Sequence, residues 1–345
     1  MTLPEPRANP DLVGHEAAAG TLEAAARSGR LHHAWLIAGP PGVGKATLAY
    51  RFSRWLLGGR PPGAAGQAPL HLPPEHPIFR RIAAAGHADL FTLEPNAGER
   101  GRKEVLRAED ARAAIRFLAH TAAEGGWRAV VMDRAERADR AEVQNILLKT
   151  LEEPPPRTVL LLATHQPDRL LPTIRSRCRR LDLFALAEPE MDRLLARALP
   201  EMPVAEREAL ARIADGSPGQ ALALAEGEGL ALQGLVEEAL AGLPHLDPRR
   251  AHGIADQVAG RRDAAAALAV FMGLMRRALA GALRQAGRGG GTGAATPAWV
   301  ASRSLADWAT LWDKLGRLAD ETERLNLDRK QAVLTGLSWL SAAPR

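Results

Sequence analysis

The stretch Ala34-Trp35-Leu36-Ile37-Ala38-Gly39-Pro40-Pro41-Gly42-Val43-Gly44-Lys45 decides how the rest of the chain is read. Its five leading apolar residues predict a buried strand, its glycines a tight loop, and Thr47 to Leu57 the helix that follows. That order is what a phosphate-binding loop needs. Glycines let backbone amides converge on phosphate oxygens, a helix N-terminus adds its dipole, and a lysine at the position of Lys45 reaches the terminal phosphates. The chain has only five lysines, and one of them stands here. Gly39, Pro40, Pro41, Gly42, Val43, Gly44, Lys45, Ala46 and Thr47, with Asp133 further on, are the candidate nucleotide site.

Working outward, short apolar runs alternate with helical patterns up to about residue 185, the signature of a parallel sheet with crossover helices. The predicted strands are Ala34 to Ala38, Asp89 to Leu93, Arg128 to Met132, Thr158 to Ala163 and Arg180 to Phe184. Helices are predicted over Thr47 to Leu57, Ala108 to Ala122 and Ala138 to Glu152, and Gly58 to Pro77 reads as an inserted surface loop. The first 186 residues are thus a doubly wound α/β domain. Residues 187 to 226 read as a small helical unit whose last helix is reached through Gly216-Ser217-Pro218-Gly219. Residues 227 to 345 are Ala- and Leu-rich and helical, interrupted by the glycine run from Gly287 to Gly293, which reads as a linker because no strand precedes it. The final helices are predicted at Ser304 to Leu325 and Asp328 to Leu340, and the apolar face Trp308, Leu311, Trp312, Leu315 and Leu318 is expected to serve assembly.

Composition narrows the class. The 345 residues are 46% hydrophobic and 25% charged, the balance of a soluble globular protein. A lone cysteine, Cys178, excludes an internal disulfide and a four-cysteine zinc site, so a reducing, cytoplasmic setting is the expectation. Met1 to Glu16 lacks an apolar core and does not read as a signal peptide, and Ala264 to Met275 is expected to stop at Arg276-Arg277, short of a membrane span. The formal charge of +5 rests almost wholly on arginine. A diffuse charge of this kind is compatible with nucleic acid, but the solvated-surface reading is favoured over a dedicated DNA patch.

Several parts of an ATPase are displaced. Ala46 stands where a hydroxyl would ligate Mg²⁺, and moving the hydroxyl to Thr47 turns it by ~100° around the helix. Val130-Val131-Met132-Asp133 has the form of a strand presenting a metal-binding aspartate, but Arg134 follows it in place of an acidic residue that would orient water. Glu136 reads as a helix-start residue rather than a base.

Beyond the loop, five segments occur in order. They are Gly29-Arg30-Leu31-His32-His33-Ala34-Trp35-Leu36, Gly125-Gly126-Trp127-Arg128, Asn145-Ile146-Leu147-Leu148-Lys149-Thr150-Leu151-Glu152-Glu153-Pro154, Leu162-Ala163-Thr164-His165 and Ser176-Arg177-Cys178. Together they resemble the delta-prime subunits of bacterial DNA polymerase III clamp loaders, members of the AAA+ superfamily, and Leu325-Asn326-Leu327-Asp328-Arg329-Lys330-Gln331 is similar to that family's last helix. The resemblance implies an AAA+ domain (1–186), a helical lid (187–226) and a helical collar for oligomerisation (227–345). It implies a hetero-pentameric ring with tau/gamma motor subunits and a delta subunit, which opens the sliding clamp and places it on primed DNA. It implies that Arg177 is a finger acting in trans on a neighbour's site, against the plain reading of one surface arginine among Arg175, Arg179 and Arg180. The segment Gly58 to Arg81 lacks the cysteines of the family's zinc module, so zinc is not expected, and Pro218-Gly219-Gln220 stands where motor subunits carry a lid arginine.

Two classes of function remain open at this stage. The first is a non-hydrolysing stator that binds ATP or ADP weakly or not at all. The second is an active DNA-dependent motor ATPase of the same loader, for which Lys45 and Asp133 speak. A small-molecule kinase would need an acceptor site and lid arginines, and would leave Ser176-Arg177-Cys178 without a use. Cys178 reads as a packing residue, since no His or Asp stands at a triad spacing.

Overall fold

A computed structural model describes residues 4–63, 66–95, 106–138, 141–226, 229–287 and 297–341. They fall into two compact units, the first ending at Leu222 and the second running from Ala223. Of the predicted linker, residues 288 to 293 lie outside the described residues.

The first unit is laid out in chain order as α1 (Glu16–Arg27), β1 (Ala34–Ala38), α2 (Lys45–Leu57), α3 (Pro77–Ala83), β2 (Leu90–Leu93), α4 (Ala108–Ala119), β3 (Arg128–Met132), α5 (Ala141–Glu152), β4 (Thr158–Thr164), α6 (Pro172–Arg175), β5 (Arg179–Asp182), α7 (Glu188–Ala198), α8 (Val204–Ala214) and the first residues of α9 (Pro218–Glu226). The five strands are parallel and ordered β2-β3-β4-β1-β5. Successive side chains on a strand point to opposite faces, and the two faces here have separate cores. Trp35, Ile37, Val131 and Leu161 pack with α1, α2 and α3 on one side. Leu36, Val130, Met132 and Leu160 pack with α4 and α5 on the other. Covering both faces explains why β1, β3 and β4 are fully buried and apolar except at strand ends, at Arg128, Thr158 and Thr164. This is the expected α/β fold with a parallel sheet, with β1 flanked by β4 and β5 so that its C-terminal loop opens at a switch point of the sheet.

The strand ends differ from expectation at β5. Its ladder with β1 closes at Asp182, which leaves Phe184 73% exposed instead of within the strand. Helices α7 and α8 pair around Met191, Leu195 and Ala214, and Val13 from the segment before α1 packs into the same small core. The inserted loop holds Leu70 and Leu72 inward and is tied to α2 where Arg51 Nε donates to Pro69 O at 2.9 Å.

The second unit contains α10 (Gly229–Ala241), α11 (Pro248–Ala259), α12 (Ala264–Gly287), α13 (Leu305–Leu325) and α14 (Arg329–Ser341). α12 is central and packs against the other four. It is long and apolar enough to cross a membrane by length and composition, and it does not stop at Arg276. The helix carries that arginine by laying its guanidinium on the Trp312 ring, 3.7 Å from the centroid, while Arg276 Nε donates to Trp312 O and Trp312 Nε1 to Arg276 O. Trp308, Leu311 and Leu315 are buried within the unit itself. The face expected to serve assembly is therefore core, and the exposed large apolar residues of α13 are Leu305 and Leu325 at its two ends.

Candidate functional site

The loop between β1 and α2 is held from several sides. Gly42 and Gly44 take φ of +74° and +108°, values that glycine adopts without cost, and each loop carbonyl is occupied. Lys45 Nζ donates to Gly39 O at 2.9 Å and Pro40 O at 2.5 Å, and Ser217 Oγ donates to Pro41 O at 2.7 Å. Gly219 N donates to Gly42 O at 2.9 Å, His15 Nε2 lies 2.7 Å from Val43 O, and Leu48 N bonds Gly44 O at 2.9 Å. The amides of the first helical turn have no partner within the helix. An oxyanion is the ligand such a surface accepts.

Lys45, Ala46 and Thr47 are the first three residues of α2. Burial lowers the Lys45 ammonium below its ordinary range, opposed by the nearby Asp133 and Glu136 carboxylates. Asp133 follows β3, where burial raises its carboxyl, partly offset by the Arg134 amide, which donates to Asp133 Oδ1 at 2.9 Å. Arg134 is exposed and sits at φ +48°, a left-handed conformation uncommon for a residue with a side chain. Ala46 offers a methyl where Mg²⁺ needs oxygen, and among the described residues no group of three His, Cys, Asp or Glu is placed to hold a metal ion. The donor set does not fit a catalytic Mg²⁺.

Glu136 is the residue whose role the sequence reading missed. It is buried at 2% exposure, its Oε2 accepts from Thr164 Oγ1 at 2.6 Å, and its Oε1 lies 2.8 Å from His165 Nδ1. Burial alone would raise this carboxyl, but the bonds from His165 and Thr164 outweigh it and hold it at about 2. The available signal was the pair Thr164-His165 at the C-terminal end of an apolar strand beside β3, where polar residues meet. Glu94, just past β2, is likewise engaged, accepting from Arg7 Nη2 at 2.6 and 2.7 Å and from Tyr50 Oη at 2.6 Å. Two of the carboxylates at these strand ends are thus committed to neighbours inside the chain.

Arg177 lies just beyond α6, away from its own loop in sequence and paired locally. Its Nη1 donates to Thr173 O at 3.0 Å and its Nη2 lies 2.7 Å from Glu152 Oε1, with both side chains partly exposed. Arg175 pairs with Asp168, Arg180 with Asp182, and Arg179 stacks over Trp35. Cys178 packs against the core beneath α4 and α5, and burial pushes its thiol up to about 12. A thiol so poorly ionised is a packing group rather than a nucleophile.

The family described as DNA polymerase III, delta subunit, matches residues 14–187, half of the chain. The chain is 39% identical over 188 residues to DNA polymerase III subunit delta' of Pseudomonas aeruginosa, covering 54% of this chain and 53% of that one. It is 40% identical over 211 residues to subunit delta' of Escherichia coli K12, covering 60% and 58%. It is also 31% identical over 230 residues to Escherichia coli DNA polymerase III subunit tau, covering 64% of this chain and 33% of that one. The chain spans between half and three-fifths of the length of the delta' relatives it matches. With the family matched across half of its length, from the segment before α1 to the end of the parallel sheet, the chain belongs to the DNA polymerase III delta-subunit family, alongside the delta' subunits of these two bacteria.

Proposed function

We propose that this chain is a non-hydrolysing subunit of the cytoplasmic DNA polymerase III clamp loader, acting as a stator in a hetero-pentameric ring with tau/gamma motor subunits and a delta subunit. Through that ring it takes part in loading the sliding clamp onto primed DNA, and its first 186 residues, the lid at 187–226 and the collar at 227–345 divide the labour of nucleotide-loop scaffold, lid and ring assembly. The observation that carries this reading is the carboxylate inventory around the loop. Arg134 occupies the position after Asp133, and the buried carboxylate that follows, Glu136, is spent on Thr164 and His165. Without a carboxylate facing water, hydrolysis lacks its base. ATP or ADP binds weakly if at all, through the loop amides and Lys45, and neither Mg²⁺ nor zinc is required.

Arg177 supplies the chain's chemical contribution. A guanidinium is permanently charged and planar, so at a subunit boundary it contacts two oxygens of a γ-phosphoryl group bound by a neighbour. Its present pairing with Glu152 is partly exposed and weak enough to be exchanged for phosphate. Arginine fingers contribute roughly 10³ to 10⁵ in rate, and the loss in a whole complex is smaller because other motor sites stay active. The test is ATP turnover and clamp loading by a complex reconstituted with Arg177→Ala. Ring assembly should persist while both activities fall, and Arg177→Lys should rescue little because an ammonium lacks the fork. Unchanged turnover would return Arg177 to the surface.

The second reading, a motor ATPase of the same loader, is favoured by intact Lys45 and Asp133 and by the likeness to subunit tau. It predicts turnover by the chain itself.

A further inference from the structure

The phosphate loop and the turn leading into α9 touch through backbone. If Gly219 carried a Cβ it would stand 2.9 Å from Gly42 Cα and 3.0 Å from Gly42 O, and a Cβ on Gly42 would stand 2.5 Å from Ser217 Oγ. Each glycine is needed for the other's approach. Between them lie the Gly219 N to Gly42 O bond at 2.9 Å and the Ser217 Oγ to Pro41 O bond at 2.7 Å. Ser217 is 2% exposed and its hydroxyl also accepts from Gln220 N at 3.3 Å, so donor and acceptor capacity are both used. The turn itself is fixed by Gly216 at φ +73°, whose carbonyl accepts from Leu186 N at 2.8 Å. From the other side, the segment before α1 reaches both parts. Val13 sits in the core of α7 and α8, and His15, 6% exposed, holds Val43 O.

We propose that Ser217 and Gly219 form a latch that positions the phosphate loop, holding the loop and the turn into α9 together as one body. A swing of α9 away from the loop has to break both bonds at once, and buried polar groups left unmatched by such a swing oppose it. The latch concerns two segments of this chain and stands apart from what the chain assembles with.

Hydrogen exchange of the full chain tests it, read on peptides covering 39–47 and 215–222, with β4 as the internal reference. Ser217→Ala removes one bond and should speed exchange of both segments about fivefold, the population change that a single hydrogen bond carries. Gly219→Ala forces a methyl against Gly42 and should speed both by tenfold or more. If Gly219→Ala does not fold, Ser217→Ala decides alone. Variants that exchange at the wild-type rate, or variants that loosen one segment without the other, each overturn the latch.

Discussion

Replacing Glu136 by glutamine removes one negative charge from a buried site and leaves its shape nearly intact. In the wild type the carboxyl is drawn from an ordinary 4.5 down to about 2 by Thr164 and His165, against the opposing effect of burial. A carboxyl lowered on folding stabilises the native state above the unfolded value, and the contribution is lost as pH falls through the folded one. At 1.36 kcal/mol per decade the difference amounts to ~3 kcal/mol at pH 7 and ~1.5 kcal/mol at pH 3. The protonated acid and the amide are close equivalents, so wild type and Glu136→Gln should converge as the acid is titrated. Urea unfolding followed by pulse labelling of β3 and β4 amides reads the first unit separately from the second. The expected result is a Glu136→Gln deficit of ~2–3 kcal/mol at pH 7 that shrinks by about half at pH 3. A deficit below ~0.5 kcal/mol at pH 7, or one that stays constant with pH, would refute the assignment of Glu136 as the ionised anchor of Thr164 and His165.

The remaining expectations are simpler to read. With its thiol pushed up to about 12, Cys178 should react with a disulfide reagent at pH 8 roughly a thousandfold more slowly than a free cysteine, and urea should abolish the difference; labelling within tenfold of the free rate in the native state would contradict its packing role. Because the Arg177–Glu152 pair is partly exposed, Arg177→Ala should change unfolding free energy by less than ~1 kcal/mol, and a larger loss would make the arginine structural.

Most of the sheet was legible because a strand buried on both faces has to be apolar except at its ends. β1 and β3 fall on the predicted residues for that reason, and Lys45 was placed by the glycines around it. The reading failed where a distant partner decides. Arg276 looked like the end of a helix, but Trp312, 36 residues away, accepts it and α12 continues. Glu136 does lie in the first turn of a short helix, Ala135–Arg137, as expected, but its partners, 28 and 29 residues on at the end of the neighbouring strand, were not legible. Trp308, Leu311 and Leu315 were assigned to a partner surface because a single helix face does not disclose that α12 already covers it. The contact of Gly42 with Gly219 is of the same kind, since two glycines distant in sequence carry no periodic signal of their approach.

The central claim is that the loop remains while hydrolysis is gone, and the isolated chain tests it most directly. Steady-state ATP turnover should be measured with Mg²⁺, with and without primed DNA, for the wild type and for Lys45→Ala. The account predicts that both remain at the background rate and do not differ, because Ala46, Arg134 and the engaged Glu136 leave neither metal ligand nor base. DNA-stimulated turnover by the wild type that disappears in Lys45→Ala would contradict it and make the chain a motor.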